Sequence, residues 1–260
     1  MSHHTEDTAV IIPWRPSPSR IEAANYAGWW WRREWGLHPF YGTDSHDGEP
    51  FRKGALIANG IRIALAENPK IQAFVIADAD VVMDHASADM AEAIEVVRSP
   101  RHPARWSVPH LDVHRHGEAW TAEQLKGETR PHASTVLLPD LAPTVHRGHP
   151  GGGLLVLSRE IADARCLPDP RFAGWGQEDD SWAFALRTLY GAPWRGSSPL
   201  HHLWHVPEPR ISRAVGSVSG QGLYRRYLGA RLNRARMGAL VAEGWTWWDD
   251  RERRIEGSGV

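Results

Sequence analysis

The first hundred residues alternate between apolar runs of strand length and amphipathic segments of helix length, and this alternation restricts the chain to an α/β fold. One helix, over 52–67, ends at Asn68 and Pro69, since a residue before proline disfavours helical geometry. Alternation of this kind favours a mixed, mainly parallel sheet with helices on both faces. The predicted strands are 8–13, 37–41 and 71–77, and the other predicted helices are 20–34 and 86–98.

The rest of the chain divides into an irregular stretch, a strand and several helices. Residues 100–150 carry several prolines and are expected to be irregular. A strand over 153–158 and a helix over 181–190 follow. The tail over 208–256 is predicted to be helical, with one helix over 220–243.

The length and composition of the chain fit one large domain. At 260 residues and 42% hydrophobic content, the chain can bury one good core. We expect a body over 1–207 and a helical extension over 208–260 that packs on this body. The formal net charge of −1 argues against a surface that attracts nucleic acid overall, although arginines cluster near the C-terminus.

Three carboxylates, Glu178, Asp179 and Asp180, follow a Gly-Trp-Gly turn and precede an amphipathic helix. This is a suitable layout for an acid/base site. Acids in a first helical turn also complement the helix dipole and cap free N–H groups, so a structural role remains open at this point. The neighbouring motifs have to decide between the two interpretations.

A second acidic motif, Asp78-Ala79-Asp80, follows the buried strand 71–77. Of two carboxylates at a strand end, one can hold a divalent metal while the other faces a ligand. The cluster 201–205 adds His202 and His205, which are three residues apart and can reach one cation. It is predicted to lie near the end of a loop rich in proline and glycine. A polar exit from the strand and structural histidines are the alternatives, because the chain has fifteen histidines.

Fourteen tryptophans are many for this length. Aromatic side chains bind sugar faces and nucleobases, but they more often fill cores and interfaces, so both roles stay open. The two bunches are Trp29, Trp30, Trp31 and Trp35, and Trp245, Trp247 and Trp248.

Taken together and in order, these motifs resemble those of the metal-dependent glycosyltransferases of the GT-A fold, in particular the beta-1,4-galactosyltransferase type and its relatives among chondroitin-synthesising enzymes. The resemblance covers about residues 9–207. It implies a single Rossmann-like α/β catalytic domain over 1–207. The matching segments are Val10–Arg15, Phe51–Gly60, Asp78–Asp80, Gly152–Ser158, Arg171–Asp180 and His205.

The resemblance implies transfer of a hexose from a nucleoside diphosphate sugar, with UDP as the expected nucleotide, to an acceptor hydroxyl with inversion. It implies Mn²⁺ or another divalent metal as cofactor, and Asp179 as the general base with Glu178 orienting the acceptor. The implied metal ligands are Asp80, His205 and His202. The implied substrate-binding residues are Pro13, Arg15, Arg20, Lys53, Asp78, Gly152, Gly153 and Trp175, the last on a loop that closes over sugar and acceptor.

Some features depart from the resemblance or stay open. His202 stands where galactosyltransferases usually have Met, and Cys166 is the only cysteine. The polar start of the chain and the lack of a long apolar run predict a soluble, cytoplasmic protein without membrane contact. The acceptor, whether a glycan, a protein, a metabolite or a modified nucleic-acid base, stays open. The alternatives are a sugar- or nucleotide-binding module without turnover, and a metal-dependent hydrolase or nucleotidyltransferase acting on nucleotide sugars.

Overall fold

The computed structural model describes residues 6–18, 20–43, 50–84, 87–126, 143–174, 176–206 and 217–257. These residues form an eight-stranded sheet in the order β2-β1-β3-β7-β5-β8-β4, with β6 paired to β5. The strands are β1 (Thr8–Pro13), β2 (Pro39–Gly42), β3 (Ala73–Ala77), β4 (Val81–Met83), β5 (Trp106–Arg115), β6 (Thr144–Arg147), β7 (Leu154–Ser158) and β8 (Trp194–His202). The helices are α1 (Ile21–Trp35), α2 (Lys53–Glu67), α3 (Ala88–Arg98), α4 (Glu118–Lys126), α5 (Arg159–Asp163), α6 (Glu178–Tyr190), α7 (Ser217–Ala230) and α8 (Arg234–Gly257).

The α/β prediction is confirmed and the sheet is mixed, but parallel pairing is less extensive than we predicted. β2, β1 and β3 pair in parallel, and α1 and α2 provide the crossover connections that parallel neighbours require. β5 also pairs with β8 in parallel. The pairs β3–β7, β5–β7, β5–β6 and β4–β8 are antiparallel, so among the described residues antiparallel pairs are in the majority.

Helices cover the sheet on both faces, because successive residues of the central strands point alternately to two separate cores. Ile11, Phe74 and Leu157 belong to the core that contains α2, α6, α7 and α8. Val10 and Val156 belong to the opposite core, which contains α1, α3 and Trp120 of α4. The central strands are therefore buried on both sides, which is why they are continuous apolar runs in the sequence.

The described part of the tail forms two helices, α7 and α8. The predicted single helix over 220–243 is wrong, because α7 ends at Ala230 and α8 begins at Arg234. Leu223, Tyr227, Leu240 and Val241 are buried in the same core as α2 and α6. The boundary at residue 207 lies outside the described residues.

A buried ionic cluster around Asp169 joins the body to both C-terminal helices. The Asp169 side chain is 1% exposed and accepts hydrogen bonds from Arg171 Nη2 at 2.6 Å and from the Tyr227 hydroxyl at 2.9 Å. Arg171 also pairs with Glu243 of α8. The cluster therefore ties residues of α7 and α8 to the segment that precedes α6.

We expect Asp169→Ala to lower the free energy of unfolding by roughly 3 kcal/mol, near the low end for removing one partner of a buried ion pair, since Arg171 keeps Glu243. Asp163→Ala is the matched control, because Asp163 forms an exposed pair with Arg159 whose loss costs about 0–1 kcal/mol. Urea unfolding measures both. Equal losses in the two variants would contradict a special role for the Asp169 cluster.

Three further predictions about secondary structure need correction. The described residues of the range 100–150 include β5, α4 and β6, so this part of the chain is not irregular throughout. The helix predicted over 181–190 begins at Glu178, so the three carboxylates form its first turn. His201 and His202 end β8 and do not lie in a loop, because Val81 and Val82 of β4 pair with them.

Among the helices formed by the described residues, none combines the length and apolar character needed to cross a bilayer.

Candidate active site

The turn between β3 and β4 sends its two carboxylates to different partners. Residues in an extended strand that are two apart share a face, but Asp78 and Asp80 lie between the strands, in and beside a turn, and this allows them to diverge. Asp78 contacts Lys53, and Asp80 contacts His205. The Asp-x-Asp motif thus stands between two groups of charged side chains, which we call the metal-ligand cluster (Asp80, His202, His205) and the lysine-centred cluster (Lys53, Asp78, Asp179).

The metal-ligand cluster joins the turn after β3 to the end of β8. His205 Nε2 lies 3.1 Å from Asp80 Oδ2, and His202 Nε2 lies 3.9 Å from Asp80 Oδ1. One ligand atom from each side chain falls within 4.8 Å of the others. The Asp80 carbonyl also accepts a hydrogen bond from Leu203 N at 2.8 Å. The three side chains predicted to bind metal are therefore brought together.

The charges in this cluster support one another. Burial by itself raises the pKa of Asp80, but the charges of His202 and His205 and the hydrogen bond from His205 outweigh it and hold that pKa well below its usual range. The hydrogen bond to Asp80 raises the pKa of His205. Asp80 is therefore an ionised, buried carboxylate beside two histidines, and a cation that bound here would displace the protons of both imidazoles.

The lysine-centred cluster joins three elements of the body. Lys53, the first residue of α2, is 8% exposed, and its Nζ lies 2.9 Å from Asp78 Oδ1 and 3.0 Å from Asp179 Oδ1. Burial lowers the pKa of an ammonium group, but Asp179 and Asp78 raise that of Lys53 above its usual range. Lys53 therefore remains charged and binds the two carboxylates in this structure, a role that the sequence did not predict.

The first turn of α6 supplies the carboxylates predicted to do the chemistry. Glu178 is buried and accepts a hydrogen bond from Gly176 N at 2.8 Å. Burial and the charge of Asp179 raise the pKa of Glu178 to about 7. Burial also raises the pKa of Asp179, and the Lys53 ammonium only partly offsets this effect. Both carboxyls are thus more basic than usual, as a general base at neutral pH requires.

The glycines before β7 form a close-packed support for Asp179. A Cβ on Gly152 would lie 2.7 Å from Asp179 Oδ2, and a Cβ on Gly151 would lie 2.0 Å from the Asp179 carbonyl oxygen. Gly153 has a φ of +74°, which disfavours other residues, and its carbonyl accepts from Asp78 N at 2.8 Å. The structure therefore explains Gly152 and Gly153 by contacts with the two predicted active-site acids.

We expect Gly152→Ala to reduce turnover by about 10²-fold while the protein stays folded, because its methyl group forces the Asp179 carboxylate to move, and small misplacements of reacting groups have effects of this size. Urea unfolding and a transfer assay measure the two quantities. Gly117→Ala is the control, since a Cβ there has no neighbour within 4 Å among the described residues. Normal turnover of Gly152→Ala would show that the position of this carboxylate does not matter.

The other predicted substrate-binding residues lie around these clusters. Pro13 ends β1 beside Gly42, and Arg15 lies in the following loop, with its guanidinium 5.9 Å from the centre of the Phe51 ring. Arg20 stands at the start of α1, close enough for its charge to act on Asp80. Trp175 lies outside the described residues.

Sequence reasoning missed two groups of histidine contacts beside the site. His149 Nε2 lies 2.6 Å from Asp180 Oδ1, so it holds the third acid of the α6 turn away from the lysine-centred cluster. His201 Nε2 lies 2.9 Å from Asp84, and its Nδ1 lies 2.8 Å from His116 Nε2. The only sequence signal was the abundance of histidine, which does not indicate pairing.

The His116 ring stacks on Trp120 at 3.4 Å, and His201 is 1% exposed. Burial and neighbouring imidazoles lower the pKa of His116 to about 3, so it is neutral at physiological pH. Asp84, His201 and His116 therefore form a packed polar connection between the end of β8 and α4, next to His202.

Comparisons with known proteins place the chain beside glycosyltransferases by overall structure alone. No protein-family model matches it, and no curated protein sequence matches it. Similar solved structures include the catalytic domain of Drosophila beta-1,4-galactosyltransferase 7 in complex with xylobiose, which shares 15% identity over 81% of this chain and 79% of that chain, with a TM-score of 0.46.

Two other similar structures hold metal and nucleotide. Glucosyl-3-phosphoglycerate synthase from Mycobacterium tuberculosis, in complex with Mn²⁺, UDP-glucose and phosphoglyceric acid, shares 15% identity over 87% of this chain and 80% of that chain, with a TM-score of 0.42. GalNAc-T7 with UDP, GalNAc and Mn²⁺ shares 14% identity over 97% of this chain and 58% of that chain, with a TM-score of 0.48. These proteins are of the kind that the sequence motifs resemble. A likeness at this level concerns the fold and assigns neither activity nor substrate.

Proposed function

We propose that the protein is an inverting, metal-dependent glycosyltransferase that moves a hexose from a nucleoside diphosphate sugar, with UDP as the expected nucleotide, to an acceptor hydroxyl. The observation that best supports this proposal is that the metal-ligand cluster and the lysine-centred cluster lie on either side of the turn between β3 and β4. Asp80 belongs to a cation site, and Asp78, two residues earlier, is linked through Lys53 to the basic carboxylate of Asp179. A diphosphate leaving group and an acceptor hydroxyl need these two sites side by side.

The metal-ligand cluster fits a divalent transition metal. It offers one ionised carboxylate and two imidazoles. Imidazole suits transition metals, whereas Mg²⁺ prefers oxygen ligands, so the mixed set favours Mn²⁺ over Mg²⁺. When bound, the cation would neutralise the diphosphate charge and make the nucleoside diphosphate a better leaving group. Arg15 and Arg20 supply further positive charge near the start of α1, and Pro13 lies beside them at the end of β1.

Asp179 is proposed to act as the base. It takes the proton of the acceptor hydroxyl as that oxygen forms a bond to the anomeric carbon, while the bond from this carbon to the diphosphate oxygen breaks and its electron pair leaves with the nucleotide. Glu178 is proposed to orient the acceptor. Asp78 is proposed to face the ribose or the sugar. Lys53 is proposed to hold Asp78 and Asp179 in place before the substrate binds.

A screen of nucleotide sugars with Mn²⁺ tests this function. We expect UDP to be released from one UDP-sugar, at a rate that rises when the correct acceptor is added. Release of monophosphate or sugar phosphate would instead indicate a hydrolase or nucleotidyltransferase. Binding of a donor with no product over time would indicate a binding module.

We expect the product to have the inverted anomeric configuration, so that an alpha-linked donor gives a beta-linked product. The physical reason is that Asp179, held by Lys53, is proposed to act on the acceptor hydroxyl directly, and such a single displacement inverts the anomeric centre. Proton NMR of the anomeric signal measures the outcome. A retained alpha linkage would contradict the assigned mechanism while leaving transfer itself established.

A further inference from the structure

A groove of about 690 Å³ lies between α1 and α4 and opens beside the segment that carries His202 and His205. The volume is within the range of small-molecule sites. Trp204, which stands between the two histidine ligands and is half-buried, lines the groove. The side chains that give the groove its chemistry are Glu22, Asn25, Tyr26, Trp29, Glu118 and Trp204.

The groove is built from aromatic rings and from groups that form hydrogen bonds with hydroxyls. The Tyr26 and Trp29 rings lie 5.4 Å apart at 34°, and Trp29 is half-buried. The face of an aromatic ring is electronegative and attracts the polarised C–H groups on one face of a sugar ring. Glu22, Asn25 and Glu118 supply carboxylate and amide groups at the edges, where sugar hydroxyls point.

The charges of the groove favour a neutral ligand. Glu22 and Glu118 contribute two carboxylates, and Lys126 in the lining is paired with Glu123 at 2.9 Å. Arg33, whose guanidinium lies 4.9 Å from the centre of the Trp29 ring, also contacts Glu34 at 3.7 Å. A negative lining repels diphosphates and nucleic-acid backbones, both of which require basic side chains. A neutral saccharide matches both the rings and the carboxylates.

The groove is tied to the metal-ligand cluster through the backbone. Trp204 N donates a hydrogen bond to Thr121 Oγ1 of α4 at 2.8 Å, and the preceding residue, Leu203, donates to the Asp80 carbonyl. The side chains of this short segment therefore serve two sites, with His202 and His205 directed to Asp80 and Trp204 to the groove.

We propose that this groove binds a neutral saccharide, as a subsite for sugar units of the acceptor beyond the one that reacts. The identification of this saccharide with the acceptor rests on the proposed glycosyltransferase function, whereas saccharide binding itself does not. The site is separate from the lysine-centred cluster, so binding can be measured without donor, metal or turnover.

The test is calorimetric titration of the full chain, without metal, with a panel of neutral disaccharides and trisaccharides that includes xylobiose, lactose, chitobiose and cellobiose. We expect at least one of them to bind, and Trp29→Ala and Trp204→Ala to weaken that binding roughly tenfold or more, as removal of a central aromatic contact does. Glu22→Gln and Glu118→Gln change surface carboxylates without removing bulk, and each is expected to weaken binding by about 2- to 10-fold, the effect of replacing a charge-assisted hydrogen bond by a neutral one.

Trp247→Ala is the matched control, a half-buried tryptophan of α8 whose ring contacts Arg52 and lies outside the groove. It should leave saccharide affinity unchanged. Equal loss in all three tryptophan variants, failure of every saccharide to bind the wild-type protein at millimolar concentration, or metal-free binding of UDP that depends on Trp29 would each overturn the proposal. Saccharide binding without any transferase activity would support the groove and count against the proposed function.

Discussion

Asp179→Asn is expected to lower the rate of sugar transfer by about 10²–10⁴-fold, the usual contribution of a general base, while the affinity for donor and Mn²⁺ stays near that of the wild type. Asparagine keeps the size of the side chain and can still accept a hydrogen bond from Lys53, but it cannot take a proton. A turnover assay and a calorimetric titration with UDP and Mn²⁺ measure the two effects separately.

The neighbouring residue provides the control for this variant. Asp180 belongs to the same helical turn, but His149 pairs with it, and it is not part of the lysine-centred cluster. Asp180→Asn removes the same charge from the same end of α6, so it reproduces any effect on the helix dipole, which is worth about 0.3–1 kcal/mol. Near-normal transfer by Asp179→Asn, or an equal loss in both variants, would leave these acids with a structural role only.

Removal of the metal, or of Asp80, is expected to abolish transfer and also to abolish metal-dependent donor binding. Asp80 is the carboxylate of the metal-ligand cluster, and both histidines approach it, so Asp80→Asn removes the negative charge that we propose binds the cation. Excess EDTA should stop turnover, and among divalent metals Mn²⁺ should restore it best. Titration with Mn²⁺ alone, followed by UDP with and without Mn²⁺, measures the loss directly.

The control for Asp80 is a carboxylate away from the site, and Asp163→Asn on α5 serves because it breaks only an exposed pair with Arg159. His205→Ala should weaken Mn²⁺ binding in the same direction as Asp80→Asn. Full turnover in excess EDTA, or unchanged Mn²⁺ affinity in both site variants, would remove the metal assignment. This pattern is opposite to that of Asp179→Asn, which affects the rate and spares binding.

The sequence predicted best those elements that local periodicity specifies. The observed ends of β1 and α2 lie within one residue of the predicted ends. A continuous apolar strand and an amphipathic helix before Pro69 can each be recognised from a short stretch of sequence. β5 was missed because Pro109 and several polar residues interrupt its apolar pattern, and its pairing with β8 shifts register near His110. The burial of His110, whose ring contacts the Leu154 carbonyl at 3.2 Å, depends on tertiary structure that no local pattern contains.

The candidate site shows the same division. Motif order predicted Asp80, His202 and His205 as one set, and the structure brings them together. Lys53 was predicted to bind substrate, but its contacts with other side chains were not predicted. The contact between Lys53 and Asp179 depends on where α2 and α6 lie on the sheet. Trp175 remains a prediction.

The antiparallel pairing of β4 with β8 has a consequence for how the protein folds. Asp80 precedes β4 and His202 ends β8, so the three proposed metal ligands meet only after two strands that are far apart in the chain have paired at the sheet edge. Such long-range pairing carries a loop-closure cost and forms slowly. A cation bound at these residues would therefore not nucleate folding as it does in a zinc finger, where ligands are close in sequence. Its binding energy would instead add to the stability of the whole sheet, and thermal unfolding should shift upward with Mn²⁺ concentration as mass action requires.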